Sequence, residues 1–326
     1  DKLSEILYPK LKKTFKLVKR LHGSRDYFQI QKNSFTIEII PVLEIKKAEE
    51  AKNITDISQL HVDYVKKYQK LANEIRLAKT FAKAQEFYGA ESYIRGFSGY
   101  VLEVLVIHYG SFKNLAKAVS KWKDKTIVGS KEDAEKLNYS KKVSPLLLID
   151  PVQSTRNAAA ALSDEMYNKF ISACKCYIKK PSEEFFIPKK HSFKSDKNSI
   201  LLEVKPKTGK PDVVGAKLLK AFEFIKRKLT EEGFKIKEAK WHWNKVALFS
   251  YELESTILEE FKEIRGPPIK LENHLKAFEK KHGNVYIKKG IAYAKAQRDF
   301  RHARDLIRNS FKNREIISRT KEVKLL

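Results

Sequence analysis

Residues 200–253 read ILLEVKPKTGKPDVVGAKLLKAFEFIKRKLTEEGFKIKEAKWHWNKVALFSYEL. Apolar spacing predicts a strand over Ile200–Val204, a helix over Val214–Glu232, and strands over Phe234–Trp241 and Val246–Leu253. Continuing outward, Glu254–Arg265 reads as a second helix, and a last strand falls near Asn284–Ala294. That order, β-α-β-β-α-β, is the ferredoxin-like arrangement and puts the chain in the α+β class. RNA-recognition modules share this topology. Their Lys/Arg-Gly-Phe/Tyr-Gly/Ala-Phe strand signature is absent here, so topology alone carries that analogy. Gly266-Pro267-Pro268 breaks the chain before the basic stretch Ile269–Lys289, which reads as a small inserted tail around 266–289. The end, Gln297–Leu326, carries Arg298, Arg301, Arg304, Arg308, Arg314 and Arg319 on a segment that reads as largely helical.

Towards the N-terminus the pattern changes. Leu3, Leu7, Leu11, Phe15 and Val18 recur at helical spacing and predict one amphipathic helix over Leu3–Leu21 with a basic outer face. Tyr27–Ile30 and Phe35–Val42 read as strands joined near Lys32-Asn33-Ser34, with Phe35, Ile37 and Ile39 on one face and Glu38 on the other. From Leu60 to about Lys123 the periodicity is helical, with Leu71, Ile75, Ala78 and Phe81 on one stripe. Lys123–Ser144 reads as a solvated excursion and Leu146–Ile149 as a short buried strand. Ser163, followed by Asp164 and Glu165, is a helix N-cap for Ser163–Lys179. Three domains are expected, at 1–58, 59–180 and 181–326.

The composition narrows the partner. With 67 Lys and Arg against 40 Asp and Glu, the 326 residues carry a formal charge of +27, beyond what solubility asks, and imply a polyanion. At 42% hydrophobic and 11% aromatic, the chain buries real cores and is no disordered basic tail. Cys174 and Cys176 are too close to staple a domain and read as reduced core residues. No apolar run reaches the roughly 18 residues of a membrane span, and nothing reads as a signal peptide, so a soluble intracellular setting, the cytoplasm, is expected. Charge alone does not separate tRNA from other polyanions, because phosphate neutralisation is indifferent to sequence.

The block Tyr88-Gly89-Ala90-Glu91-Ser92-Tyr93-Ile94-Arg95-Gly96-Phe97-Ser98-Gly99-Tyr100, followed by Glu103 and Tyr109-Gly110-Ser111-Phe112, resembles the central helical region of archaeal-type (class I) CCA-adding tRNA nucleotidyltransferases. So does Asp150-Pro151-Val152, with Arg156-Asn157 and Ala160-Ala161-Leu162-Ser163. The resemblance implies template-independent addition of CCA to tRNA 3′ ends from CTP and ATP, with a two-metal Mg²⁺ site. It also implies three parts: a partial nucleotidyltransferase head, a helical neck, and a ferredoxin-like body that tracks tRNA phosphates through the basic residues from about Lys205 to Lys324.

By the same resemblance, Glu38 matches the third catalytic carboxylate and metal ligand, where the family has Asp. The extra methylene moves its oxygens outward by more than about an ångström, against strict Mg²⁺ geometry. His61, Lys79 and Tyr88 match triphosphate contacts. Arg95 and Arg156 are the remaining nucleotide-binding candidates. Arg156 matches the group that presents hydrogen bonds to the incoming base, a task for a planar guanidinium; capping of the Asp150 carboxylate is the other reading of its position. Asp150 and Glu103 read as orienting groups. Phosphoryl transfer also needs a carboxylate pair one residue apart on a strand. No Asp-x-Asp occurs, Glu252-Leu253-Glu254 lacks a preceding Gly-Ser turn, and Gly23-Ser24 precedes the wrong strand. The expectation is that the pair lies upstream or on a separate N-terminal catalytic fragment, and that this chain by itself is inactive. The alternative is a catalytically inactive tRNA- or RNA-binding module derived from such an enzyme.

Overall fold

A computed structural model describes residues 2–188, 193 and 196–326. The chain divides into two compact units, 1–189 and 190–326.

The first unit opens with helix α1 (Lys2–Thr14) and an antiparallel sheet of β1 (Val18–Leu21), β2 (Tyr27–Lys32) and β3 (Phe35–Ile39), in that order. The single helix expected over Leu3–Leu21 is therefore wrong in its last turns. Val18–Leu21 pairs with Ile30–Tyr27 of β2, where β-branched Val18 packs beside Phe28 and Ile30 and its backbone finds partners in the sheet. The hairpin at Asn33 forms, with φ at 54°. Of the face shared by Phe35, Ile37 and Ile39, Ile39 packs on the core beneath the sheet while Phe35 is 71% and Ile37 37% exposed, and among the described residues β3 pairs only with β2.

Past this sheet, buried Asp56 draws the chain together. It accepts hydrogen bonds from Arg25 Nη1 (2.5 Å) and from the N–H groups of Leu43 (2.8 Å), Lys52 (3.1 Å) and Asn53 (2.9 Å). With Asn53 it forms a capping box on the turn Ile54–Ile57, which leads into α2 (Ser58–Lys66).

Then come α3 (Ala72–Ala84), α4 (Gly99–Tyr109) and α5 (Phe112–Val119). Helix α4 is apolar around most of its surface, and such helices are buried: Val101, Leu102, Val104, Leu105 and Val106 all lie in the core. Gly110, with φ at 76°, ends it, and Ser111 caps the next helix. The expected solvated excursion 123–144 instead holds β4 (Thr126–Val128) and α6 (Lys131–Lys136), followed by β5 (Leu146–Leu148), which pairs with β4 in parallel. Leu147 and Ile149 need cover on that side, and Ala134 and Leu137 supply it. Helix α7 (Asp164–Lys179) starts at Ser163, whose side chain accepts from the Met166 N–H. Cys174 is buried on it while Cys176 is exposed, so only the first of the pair is a core residue.

In the second unit, β6 (Ser199–Pro206), α8 (Pro211–Glu232), β7 (Ile236–Trp243) and β8 (Ala247–Leu253) follow the expected order. Pro211 opens α8 and Gly233, with φ at 99°, closes it. The next segment departs from expectation. Phe261–Pro268 is strand β9, so the helix read over Glu254–Arg265 does not form; its exposure alternates residue by residue and it pairs with β11. It opens an excursion completed by α9 (Glu272–His282), β10 (Val285–Lys288) and β11 (Ile291–Gln297), with sheet order β10-β11-β9. The strand expected near Asn284–Ala294 is thus a hairpin inside that excursion. Helices α10 (Ala303–Ser310) and α11 (Arg314–Ile317) precede the last strand, β12 (Thr320–Leu325), so the arginine-rich end is part helix and part strand. The sheet β12-β6-β8-β7 is antiparallel throughout, the ferredoxin-like order with β12 as its fourth strand. Ile200, Leu202, Val204, Phe249 and Tyr251 pack with α8, α10 and α11, and Trp241 and Trp243 join that core. The strand positions in between, Leu201, Glu203, Lys240, His242, Leu248 and Ser250, give the other face no Phe, Tyr or Trp.

Candidate functional site

Asp150 follows β5 at the head of a tight loop. Its N–H donates to the Arg156 carbonyl (3.1 Å), and Ile149 bridges to Asn157. The loop therefore returns Arg156 to its starting point, and Arg156 Nη1 donates to Asp150 Oδ2 at 2.5 Å. The same oxygen meets His61 Nε2 of α2 at 3.1 Å. The other oxygen accepts from the Tyr100 hydroxyl of α4 (2.8 Å) and the Val152 N–H (2.9 Å). His61 stacks on Tyr100, ring centroids 4.0 Å apart.

Electrostatics keep this carboxylate charged. Burial pushes the Asp150 pKa up, but the hydrogen bonds from His61, Val152, Arg156 and Tyr100 outweigh it and hold the value at about 2. Tyr100 is pushed up, first by burial and then by the Asp150 charge. Tyr64, one turn beyond His61 on α2, rises to about 12 through burial, its hydrogen-bonded neighbour Tyr68 and the Asp150 charge. An ionised acceptor at Nε2 makes that nitrogen the donor. The His61 ring can then donate to a phosphate through Nδ1 only as imidazolium.

A second cluster lies at the start of α4. Ser98 caps the helix by accepting from the Val101 N–H, and a Cβ added at Gly99 would stand 3.1 Å from the Tyr88 hydroxyl and 3.5 Å from Lys79 Nζ. Lys79 and Tyr88 thus converge on a helix N-terminus, a position that favours anions. Lys79 also pairs with Glu103 at 2.6 Å. Because Tyr100 directly follows Gly99, the two clusters are adjacent along α4.

The remaining candidates sit elsewhere. Arg95 has φ at 57° and an exposed side chain; its carbonyl accepts from the Ser163 N–H (2.9 Å), so its backbone supports the start of α7. Glu38 is exposed on β3, where Gln29 Nε2 donates to it at 3.2 Å. No hydrogen bond or ion pair among the described residues links Arg95 or Glu38 to Asp150. Nor do three or more His, Cys, Asp or Glu side chains there gather as a metal site would need. No helix among the described residues is long and apolar enough to cross a membrane. Tyr100 and Tyr64 were missed as site residues. The three-residue spacing of His61 and Tyr64, which puts both on one face of α2, was the available signal for Tyr64.

Known proteins match both units. Residues 73–187 fit the family model for the second domain of tRNA nucleotidyltransferases, and residues 199–324 the model for the C-terminal domain of CCA-adding enzymes. Helices α4, α5 and α7 and the Asp150 loop fall inside the first match, so the class is that of the tRNA nucleotidyltransferases. The CCA-adding enzyme of Nanoarchaeum equitans is 35% identical over 283 residues, covering 82% of this chain and 70% of the relative. The one from Sulfurisphaera tokodaii is 32% identical, covering 82% and 64%, and that of Methanosarcina acetivorans 30%, covering 90% and 68%. The chain belongs to the CCA-adding enzyme family, and it spans 64–70% of the length of these relatives.

Proposed function

We propose that these residues select the nucleotide and hold the tRNA for template-independent addition of CCA from CTP and ATP, in the cytoplasm. The observation that carries this reading is the Arg156 guanidinium. It is held at one corner by buried Asp150, yet its side chain stays 28% exposed. A guanidinium has five donors in a fixed plane, so those not spent on Asp150 remain to meet a base edge, and Lys could not replace it. Capping of Asp150 and reading of a base are then two duties of one side chain. Lys79, Tyr88 and the first N–H groups of α4 take the triphosphate, with His61 donating when charged. Glu103 competes for Lys79, so phosphate binding must displace or share that ion pair. Arg95, whose side chain is exposed and unlinked to these clusters among the described residues, is proposed only as a further cation for the nucleotide.

Glu38 is proposed as one ligand of catalytic Mg²⁺. A single exposed carboxylate does not by itself make a Mg²⁺ site, so further ligands must come from other residues. When bound, Mg²⁺ neutralises the triphosphate and activates the 3′-hydroxyl. Among the described residues β3 pairs only with β2 and leaves Phe35 and Ile37 uncovered, which supports a further element packing on this sheet in the assembled enzyme; the paired aspartates are proposed to belong to it. In the experiment, this chain is mixed with a folded head fragment bearing Gly-Ser and Asp-x-Asp. Incorporation of C and A into tRNA lacking its end is expected; with both partners folded, none would contradict the reading. A pure RNA-binding module remains the competing reading, because the Asp150 and Lys79 clusters are satisfied within the protein. It requires tRNA binding with no nucleotide binding at all.

A further inference from the structure

Between α6 and β5 the chain makes a turn, Tyr139–Lys142, that exposes two apolar side chains: Tyr139 is 85% and Val143 69% exposed. The turn is firmly held. Asn138 caps it, accepting from the Lys141 N–H (3.2 Å) and the Ser140 hydroxyl (3.0 Å). Three lysines staple it: Lys125 Nζ donates to the Lys142 carbonyl (2.8 Å), Lys142 Nζ to that of Glu135 (2.6 Å) and Lys141 Nζ to that of Thr155 (2.7 Å). Asn157 Nδ2 donates to the Lys141 carbonyl (3.0 Å). The turn is therefore bonded to the residue before Arg156 and to the residue after it.

An exposed ring on a turn whose backbone is already held adds little backbone ordering cost to binding and would gain by being covered. Because the three lysines cap carbonyl oxygens rather than carboxylates, their charge remains available to a polyanion. The nearby acids Glu132, Asp133 and Glu135 lie on α6, and Glu132 is paired with Lys136. Exposed aromatic surface on a turn that carries Lys141 and Lys142 fits unpaired nucleotides, whose bases stack while their phosphates meet ammonium groups. We propose that Tyr139 and Val143 form a stacking platform for the unpaired 3′-terminal nucleotides of the RNA served by the Arg156 loop. This rests on the nucleotide-selecting reading, since the loop ties the platform to Arg156.

The test compares two fluorescent RNA hairpins with one stem, one ending in an unpaired 3′ cytidine overhang and one blunt, against the full chain at fixed salt. Tyr139→Ala should weaken overhang binding about tenfold, leave the blunt hairpin within about twofold, and be rescued by Tyr139→Trp. Unchanged overhang binding, as for a protein-docking role, overturns the proposal, as does equal loss on both hairpins. CTP titration of the wild-type chain runs in parallel. Absence of CTP binding counts against the nucleotide-selecting reading, while the hairpin comparison separately decides the platform.

Discussion

Asp150 concentrates the chemistry of one carboxylate on four donors, and this has a pH consequence. The folded carboxyl, at about 2 against an ordinary 3.8, binds its proton less readily than in the unfolded chain. Its contribution is therefore present above about pH 4 and is lost as pH falls towards 2, amounting to about 2 kcal/mol. Asp56, also depressed, loses stability in the same direction. Acid titration of unfolding free energy should show this loss, flattened in Asp150→Asn. That variant keeps a carbonyl for only two of the four donors, sets an NH2 against the other two, and leaves the Arg156 charge without its partner. Removing Arg156 is milder for the fold, because Asp150 retains His61, Tyr100 and Val152. Little of this was legible in the sequence. Tyr100 stood inside the recognised block without a role, since what gives it one is Asp150, fifty positions away, and a contact of that span leaves no local pattern.

At the scale of elements, the Arg25–Asp56 pair fastens the sheet β1–β3 to the entrance of α2. Arg25 is 6% exposed there, so Asp56→Ala strands a buried charge and three N–H donors. A loss of roughly 3–5 kcal/mol is expected in denaturant unfolding. In the excursion of the second unit, a Cβ at Gly266 would come 2.7 Å from the Phe278 ring. Gly266→Ala should loosen α9 at a cost of roughly 1–3 kcal/mol, seen as faster amide exchange confined to 261–297. Elements with strong periodicity, β6, α8, β8 and α7, could be read directly. Phe261–Pro268 could not. Glu259-Glu260 and Lys262-Glu263 favour helix locally, and the strand exists because β11 pairs with it. Val18–Leu21 was lost to an adjacent helical pattern for the same reason, its partner being β2.

For the whole molecule, a charge of +27 makes tRNA affinity a matter of counterions. If six or more phosphates are neutralised, raising salt from about 50 to 200 mM should weaken binding by about a thousandfold or more. That slope reports charge and would be shared by any basic RNA binder. The family, though not the chemistry, was legible from the blocks around Tyr88–Phe112 and Asp150–Ser163. What separates a nucleotide-selecting enzyme part from a bare RNA binder is whether a nucleotide binds through the Arg156 guanidinium. The decisive measurement is calorimetric titration of the intact chain with CTP and Mg²⁺, beside Arg156→Ala and the exposed-surface control Lys312→Ala. The account predicts saturable binding to the wild type and to Lys312→Ala that disappears in folded Arg156→Ala. Equal CTP binding by all three, or none by the wild type, would contradict it.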